Sequence, residues 1–275
     1  MTTSLEWLAT VAALPVPKQD SLRTTSAAKT VTIDFMSPLY AEELSNLSYL
    51  GLSTASYYAA FDLLNPPYYR ALNGAATSLQ CRKTVATKLL EADNFLRPCG
   101  IALHVWDAQR SLKCQKALWD YFVEDARRKK PAASQDEWTE NAKIYCSDPS
   151  QFNSDDPTTW PSHLTGGAVD LTLKRISTGE LLFMGGVFDD PSEISHTAYF
   201  EAFAAKELLT PSNFEARRNR RLLYWVMNRF GFSNFSNEWW HYDWGTQMWV
   251  ANFNHQPGVP CPAKAHYGPA TIPDK

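Results

Sequence analysis

Nothing in these 275 residues marks a chain that spans a bilayer, coats nucleic acid or depends on disulfides. No apolar run approaches the roughly 20 residues that a membrane helix needs. Basic and acidic residues nearly cancel, 26 against 29 for a formal charge of −3, so no long-range field recruits polyanions or anionic lipid. The five cysteines, Cys81, Cys99, Cys114, Cys146 and Cys261, are odd in number and widely spaced. They contain no CxxC pair, which argues against a thiolate zinc site or a thioredoxin motif. They read as small buried apolar residues in a reduced compartment. Internal repeats and a second linker are also missing. The stretch Leu8 to Leu14 faintly resembles a signal core, yet it has no basic residue ahead of it, and Glu6 stands where positive charge belongs. The expected setting is cytoplasmic, with neither a membrane nor a nucleic-acid partner.

What the chain does have is length and aromatics. A domain of this size removes most of its apolar surface from water and folds without staples. Aromatic residues make up 13%, with 10 Trp, enough for a well-packed core or for the walls of a deep pocket. Residues 1–30 lack sustained periodicity, contain Pro15 and Pro17, and read as an N-terminal extension or loosely docked arm. Residues 31–275 then form one domain ending in a Pro- and Gly-rich tail expected to wrap the surface.

Within that domain, Val85, Leu89, Ala92 and Leu96 recur at helical spacing and predict a helix over about 82–96, with Pro98 just beyond it. Residues 101–106 read as a buried strand, and a second helix starts near Ser111. Its basic end, Arg127 to Lys130, suits the helix dipole and solvent. The polar stretch 131–162 predicts a long loop, a wall or lid beside a site. Two strands are expected, over 168–173 and 180–184, around a turn at Ser177-Thr178-Gly179. A helix is expected over about 213–230, with Arg217, Arg218, Arg220 and Arg221 as a solvated face. A last strand is expected over 238–244. Helices and strands without regular alternation argue an α+β fold.

Two of the six histidines keep unusual company. His163 precedes Gly166-Gly167, which permit a positive φ or a close backbone approach. Asp170 follows on a strand whose Val169, Leu171 and Leu173 point the other way. A carboxylate in so apolar a stretch is costly unless it is paired or bound to a metal. The second cluster is Glu238-Trp239-Trp240-His241-Tyr242. Two imidazoles and one carboxylate suffice to hold zinc with a position left for water, and Glu238 remains to take that water's proton. Strand parity raises one conflict: three residues apart on a regular strand, Glu238 and His241 face opposite ways unless Glu238 precedes the strand or a bulge intervenes.

The segment Ser162 to Asp170, of the form S-H-x-x-G-x-A-x-D, followed far downstream by E-W-W-H-Y, resembles the D-alanyl-D-alanine dipeptidases among the M15 zinc peptidases. Trp106 to Arg110 stands where that family has W-D-G-Y-R, and Thr178 to Leu181, Met184 to Asp189 and Asn219 to Leu222 match further segments. The resemblance implies one zinc ion per chain held by His163, Asp170 and His241, with Glu238 as general base. It implies that Arg110 stabilises the transition state, and that Asp189 and Tyr58 meet the free amino group of a small dipeptide. The expected architecture is a single α+β domain, a small antiparallel sheet flanked by helices with the zinc site on the sheet. Ala108, Gln109, Ser111 and Pro161 depart from the family pattern. Asp189-Asp190-Pro191 would also suit a turn, and Arg110 a surface ion pair.

Three rival functions stay open on sequence. A D,D-carboxypeptidase or endopeptidase of the same superfamily would share the metal chemistry. A non-haem iron oxygenase also uses two His and one carboxylate, but typically places His and carboxylate two apart on one strand. A non-catalytic descendant would have no reason to keep both Glu238 and Arg110.

Overall fold

A computed structural model describes residues 4–18, 21–253 and 262–270 of the chain. Eight helices lie among the described residues: α1 (Ser4–Ala13), α2 (Ser21–Ala28), α3 (Lys83–Leu96), α4 (Leu112–Lys129), α5 (Gln135–Ala142), α6 (Tyr199–Ala204), α7 (Pro211–Arg229) and α8 (Gln247–Phe253). The strands are β1 (Leu44–Asn46), β2 (Ser53–Thr54), β3 (Gln80–Arg82), β4 (Ile101–Asp107), β5 (Ala168–Arg175), β6 (Ser233–Asn234) and β7 (His241–Asp243). A mixed sheet runs in the order β2-β4-β5-β7-β6 and is antiparallel except where β2 joins β4. The fold is α+β, with β1 and β3 making a separate antiparallel pair.

Local chemistry explains the helix ends. Ser111 caps α4 by accepting from the Cys114 N–H at 3.1 Å, and Cys114, Leu118, Phe122 and Ala126 form its buried face. The basic last turn of α4 is exposed and pairs with its own Glu124 and Asp125, as a solvated cap should. Helix α3 buries Val85, Leu89, Ala92 and Leu96, and the chain turns out of it at Gly100 with φ +73°. β5 is buried from Ala168 through Leu173, because sheet neighbours and helices cover both its faces. No helix among the described residues is long and apolar enough to cross a membrane.

Several sequence expectations give way here. The stretch 131–162 is not a plain loop: it holds α5, whose capping box pairs Ser134 with Glu137, and two short 3-10 turns. The signal was present as Ser-x-x-Glu but stands before a helix with a single buried residue, Ala142, too little apolar periodicity to register. Residues 180–184 make only one bridge, Leu181 to Lys174, because the chain leaves the sheet after the turn at Gly179.

The arginines of α7 are the largest correction. Arg220 is 2% exposed and Arg221 8%, not solvated. Arg220 donates to the carbonyls of Met184 (2.7 Å) and His196 (2.8 Å), its guanidinium between the rings of Phe200 and Trp239. Arg221 forms a bidentate pair with Glu201 at 2.5 and 2.6 Å. It also donates to the Ala12 and Ala13 carbonyls, the unsatisfied C-terminal acceptors of α1. The N-terminal segment is correspondingly well docked: Leu8 and Val11 enter the main core, and Trp7 meets Phe95 edge-on. The tail behaves likewise. Ala265 and Tyr267 are fully buried, and Ala265 pairs with Ile33; His255 and Cys261 lie outside the described residues.

Candidate functional site

Three neighbouring pieces of backbone bring the predicted site residues together. Asp170 on β5 lies directly opposite His241 on β7, so the pleat sends both side chains to one face at short range. His163 comes from the 3-10 turn Ser162–Thr165, which Gly166 closes with φ +74° before β5 begins. A Cβ on Gly167 would meet Trp244 O at 2.7 Å, so the second glycine is there for close approach. A register shift in β4 sets Asp107 opposite Asp170, bringing Arg110 three residues later to the same place.

The resulting cluster is tight and buried. His163 Nε2 lies 3.2 Å from His241 Nδ1, His241 Nδ1 lies 3.1 Å from Asp170 Oδ1, and His163 Nε2 lies 3.4 Å from Asp170 Oδ2. Hydrogen bonds behind the rings fix which nitrogens face inward. His163 Nδ1 donates to Ala108 O at 2.7 Å, and His241 Nε2 donates to Asp243 Oδ2 at 2.9 Å, itself held by Thr246 through Oδ1. Neutral imidazoles so tethered turn lone pairs toward each other and toward a carboxylate. Such a convergence of acceptors is repulsive unless a cation sits among them, and two imidazoles with one carboxylate suit a divalent ion taking nitrogen and oxygen. No fourth His, Cys, Asp or Glu joins the group among the described residues, so a coordination position stays open.

The strand-parity conflict resolves simply. Glu238 lies in the turn before β7, its N–H bonded to Phe235 O and its carbonyl accepting from the His241 N–H. Its Oε2 stands 3.7 Å from His241 Nδ1, with 16% of the side chain exposed to the cavity. Burial pushes the Glu238 carboxyl up to about 8; His241 opposes this, and Asp170 adds to it. For Asp170, burial acts upward too, but His163 and His241 hold the carboxyl well below the usual range. His241 is shifted strongly upward: burial opposes its charge, and the Asp243 and Asp170 carboxylates outweigh burial. A dication inverts this local logic, keeping His241 neutral and drawing Glu238 downward.

Arg110 is not a surface residue. Its Nε bonds Asp107 at 2.8 Å, and its Nη2 reaches Asp170 and the Tyr58 hydroxyl, each at 3.2 Å. Asp189 sits beyond it with φ +59°, an uncommon backbone state that Asp tolerates. Tyr58 and Tyr68 both donate to Asp189 Oδ2 at 2.8 Å, and among the described residues no donor reaches Oδ1. Burial raises the Asp189 carboxyl to about 7, with Asp170 adding to it and Arg110 opposing. A cavity of about 810 Å³ opens over these groups, lined by Tyr58, Arg110, Asp189 and Glu238. Thus all seven predicted site residues meet in one place.

Sequence reasoning missed Asp107, Asp243 and Tyr68. Asp243 lay two residues after His241, on the same strand face, and Asp107 stood inside the Trp106 to Arg110 match; Tyr68 carried no local signal. Three of the four departures from the family pattern have visible roles: Ala108 acts through its carbonyl, and Ser111 caps α4. Gln109, 3% exposed, donates to Ala270 O.

The chain is similar to several known proteins. The family model described as Peptidase_M15, D-ala-D-ala dipeptidase, matches residues 69–257. A D-alanyl-D-alanine dipeptidase of Enterococcus faecalis is 32% identical over 167 residues, 58% of this chain and 70% of that protein. One from Escherichia coli is 31% identical over 176 residues, 62% of this chain and 72% of that protein. Among solved structures, the vancomycin-resistance D,D-pentapeptidase VanY with Zn(II) aligns at TM-score 0.40 and 16% identity, over 67% of this chain and 84% of that one. The chain belongs to the M15 peptidases, the D-Ala-D-Ala dipeptidase family, and is a hydrolase.

Proposed function

We propose that this protein hydrolyses D-alanyl-D-alanine, or a similar small dipeptide, at a single zinc ion held by His163, Asp170 and His241. The observation that carries the reading is the convergence of two outward-tethered imidazoles and one carboxylate beside the free carboxylate of Glu238. When bound, zinc supplies a Lewis acid that brings the pKa of water down to about 7. Glu238, at the cavity wall, accepts a proton from the attacking water and passes it to the leaving amine nitrogen. Water adds across the peptide bond, and two free amino acids result. Arg110, held by Asp107 and Asp170, presents fixed positive charge for the carbonyl oxygen as it becomes anionic. Tyr58 and Tyr68 orient Asp189 so that Oδ1 receives the substrate's ammonium.

The substrate class is tested by turnover of D-Ala-D-Ala, L-Ala-L-Ala, an N-acetylated D-Ala-D-Ala and a stem pentapeptide. The free D,D-dipeptide is expected to be cleaved, with the N-blocked and long substrates poor. Preference for the pentapeptide would make the protein a D,D-carboxypeptidase instead.

A pH prediction follows from Asp189. A carboxyl whose pKa is raised to about 7 is neutral below that value and anionic above it. Binding of an ammonium is therefore present above this pKa and lost as pH falls through it. The zinc ion and the bound ammonium both pull the pKa down, so the acidic limb of kcat/KM is expected at or below about pH 7. Asp189→Asn should remove that limb and raise KM by about 10–100-fold, the cost of a lost charged hydrogen bond. An unchanged KM would remove Asp189 from substrate binding.

A further inference from the structure

The segment 262–270 lies outside the family-matched residues, yet it touches the backbone after His163, before Asp170 and after His241. Just after His163, the Ala270 N–H donates to Leu164 O at 2.8 Å. Arg82 ties the next residue in: its Nε donates to Thr165 O and its Nη2 to Gly268 O, both at 2.7 Å. Just beyond His241 and Asp243, the N–H groups of His266 and Tyr267 donate to Gly245 O at 2.7 and 3.2 Å. Between these points lies the Tyr267 ring, itself 0% exposed. A Cβ built on Gly167, three residues before Asp170, would stand 2.9 Å from that ring, and one on Gly245 would stand 2.5 Å from it. The ring thus fills the space between the loop that leads into Asp170 and the loop that leaves Asp243. The Tyr267 hydroxyl reaches Glu42, and Glu42 also accepts from Thr84 at the start of α3, so the ring has little freedom to tilt.

Asp170 and His241 are joined across the β5–β7 ladder, whereas His163 stands outside the sheet in the 3-10 turn before β5, so its spacing from them depends on what ties that turn to the end of β7. The Trp244 N–H to Gly167 O bond links these segments directly, and the tail adds further ties beside the cavity, which Tyr267 also lines. We infer that Tyr267 is a positioning residue: with the backbone of Gly268 and Ala270 it clamps the turn carrying His163 and the loop that follows β7 at the spacing a divalent ion needs. Removing the clamp leaves every ligand in place but lets the loops part, so the loss falls on metal affinity. The inference rests on the zinc reading and adds to it that the centre depends on a segment outside the matched domain.

The test is zinc affinity, measured by competition with a chromophoric chelator, alongside the melting temperature of each zinc-free protein. Tyr267→Ala is expected to bind zinc about 10–100-fold more weakly, the usual loss when support behind a metal ligand is removed. Tyr267→Phe keeps the ring and should stay near wild type. Ala270→Pro removes the N–H to Leu164 O, fixes the local φ and leaves the Tyr267 ring itself in place, and it should weaken binding in the same direction, so it decides the matter if Tyr267→Ala does not fold. Arg221→Ala breaks the buried tie to Glu201 and α1, distant from the ligands, and should lower the zinc-free melting temperature while leaving affinity unchanged. Wild-type affinity in Ala270→Pro and any folded Tyr267→Ala would overturn the inference. So would an equal loss in Arg221→Ala, which would mean general softening. A wild-type chain that takes up no zinc would instead refute the metal reading beneath it.

Discussion

Replacing Glu238 with Ala is expected to lower kcat by about 10²–10⁴-fold while one zinc per chain stays bound. The expectation rests on position. Glu238 precedes β7 in a turn, 3.7 Å from His241 Nδ1, the proposed ligand atom, and belongs to none of the strand pairs that hold the sheet. Its removal takes away a proton acceptor and leaves His163, Asp170 and His241 with their outer partners at Ala108, Arg110 and Asp243. Glu238→Gln keeps the shape without the basicity and should fall nearly as far. Zinc content that dropped in step with activity would make Glu238 a ligand rather than a base.

Arg110→Lys is expected to lower kcat by roughly 10²–10³-fold, with a smaller effect on KM. A lysine keeps one positive charge but not the planar fork that bonds Asp107 and meets both Asp170 and the Tyr58 hydroxyl. The side chain is 10% exposed and faces two carboxylates, so part of the loss is positional: Asp107 and Asp170 would be left sharing a point charge. The discriminating readout is the split between constants. A change confined to KM would assign Arg110 to ground-state binding, whereas a fall in kcat places its charge at the reacting carbonyl.

Much of this centre was legible without coordinates, for a physical reason. A His, a carboxylate three residues from another His, and glycines at a strand entrance are local signatures, because metal ligation imposes residue type and near-neighbour spacing together. The helices at α3, α4 and α7 were equally legible, since burial of one face writes a 3.6-residue period into the chain. What escaped was set by partners distant in sequence. Arg220 and Arg221 look like solvated charges until Glu201, Met184 O and the end of α1 arrive to satisfy them. Tyr68 acquires a role only where Asp189 folds back onto it across 121 positions. Residues 180–184 carry an apolar run like a buried strand, but among the described residues no neighbour offers them a ladder beyond the single Leu181 bridge. The tail is rich in Pro and Gly and reads as surface, yet Gly268 is there because a Cβ would run into the Tyr40 ring at 2.6 Å.

The central claim is that three convergent side chains hold the zinc on which hydrolysis depends. The most direct measurement is zinc per chain and D-Ala-D-Ala turnover on one sample, before chelation, after it, and after zinc is returned. The account predicts a stoichiometry of one, turnover that vanishes with the metal and recovers in proportion to zinc re-bound, and loss of both in His163→Ala and His241→Ala. Turnover that survives complete zinc removal, or full zinc retention when either histidine is replaced, would contradict it.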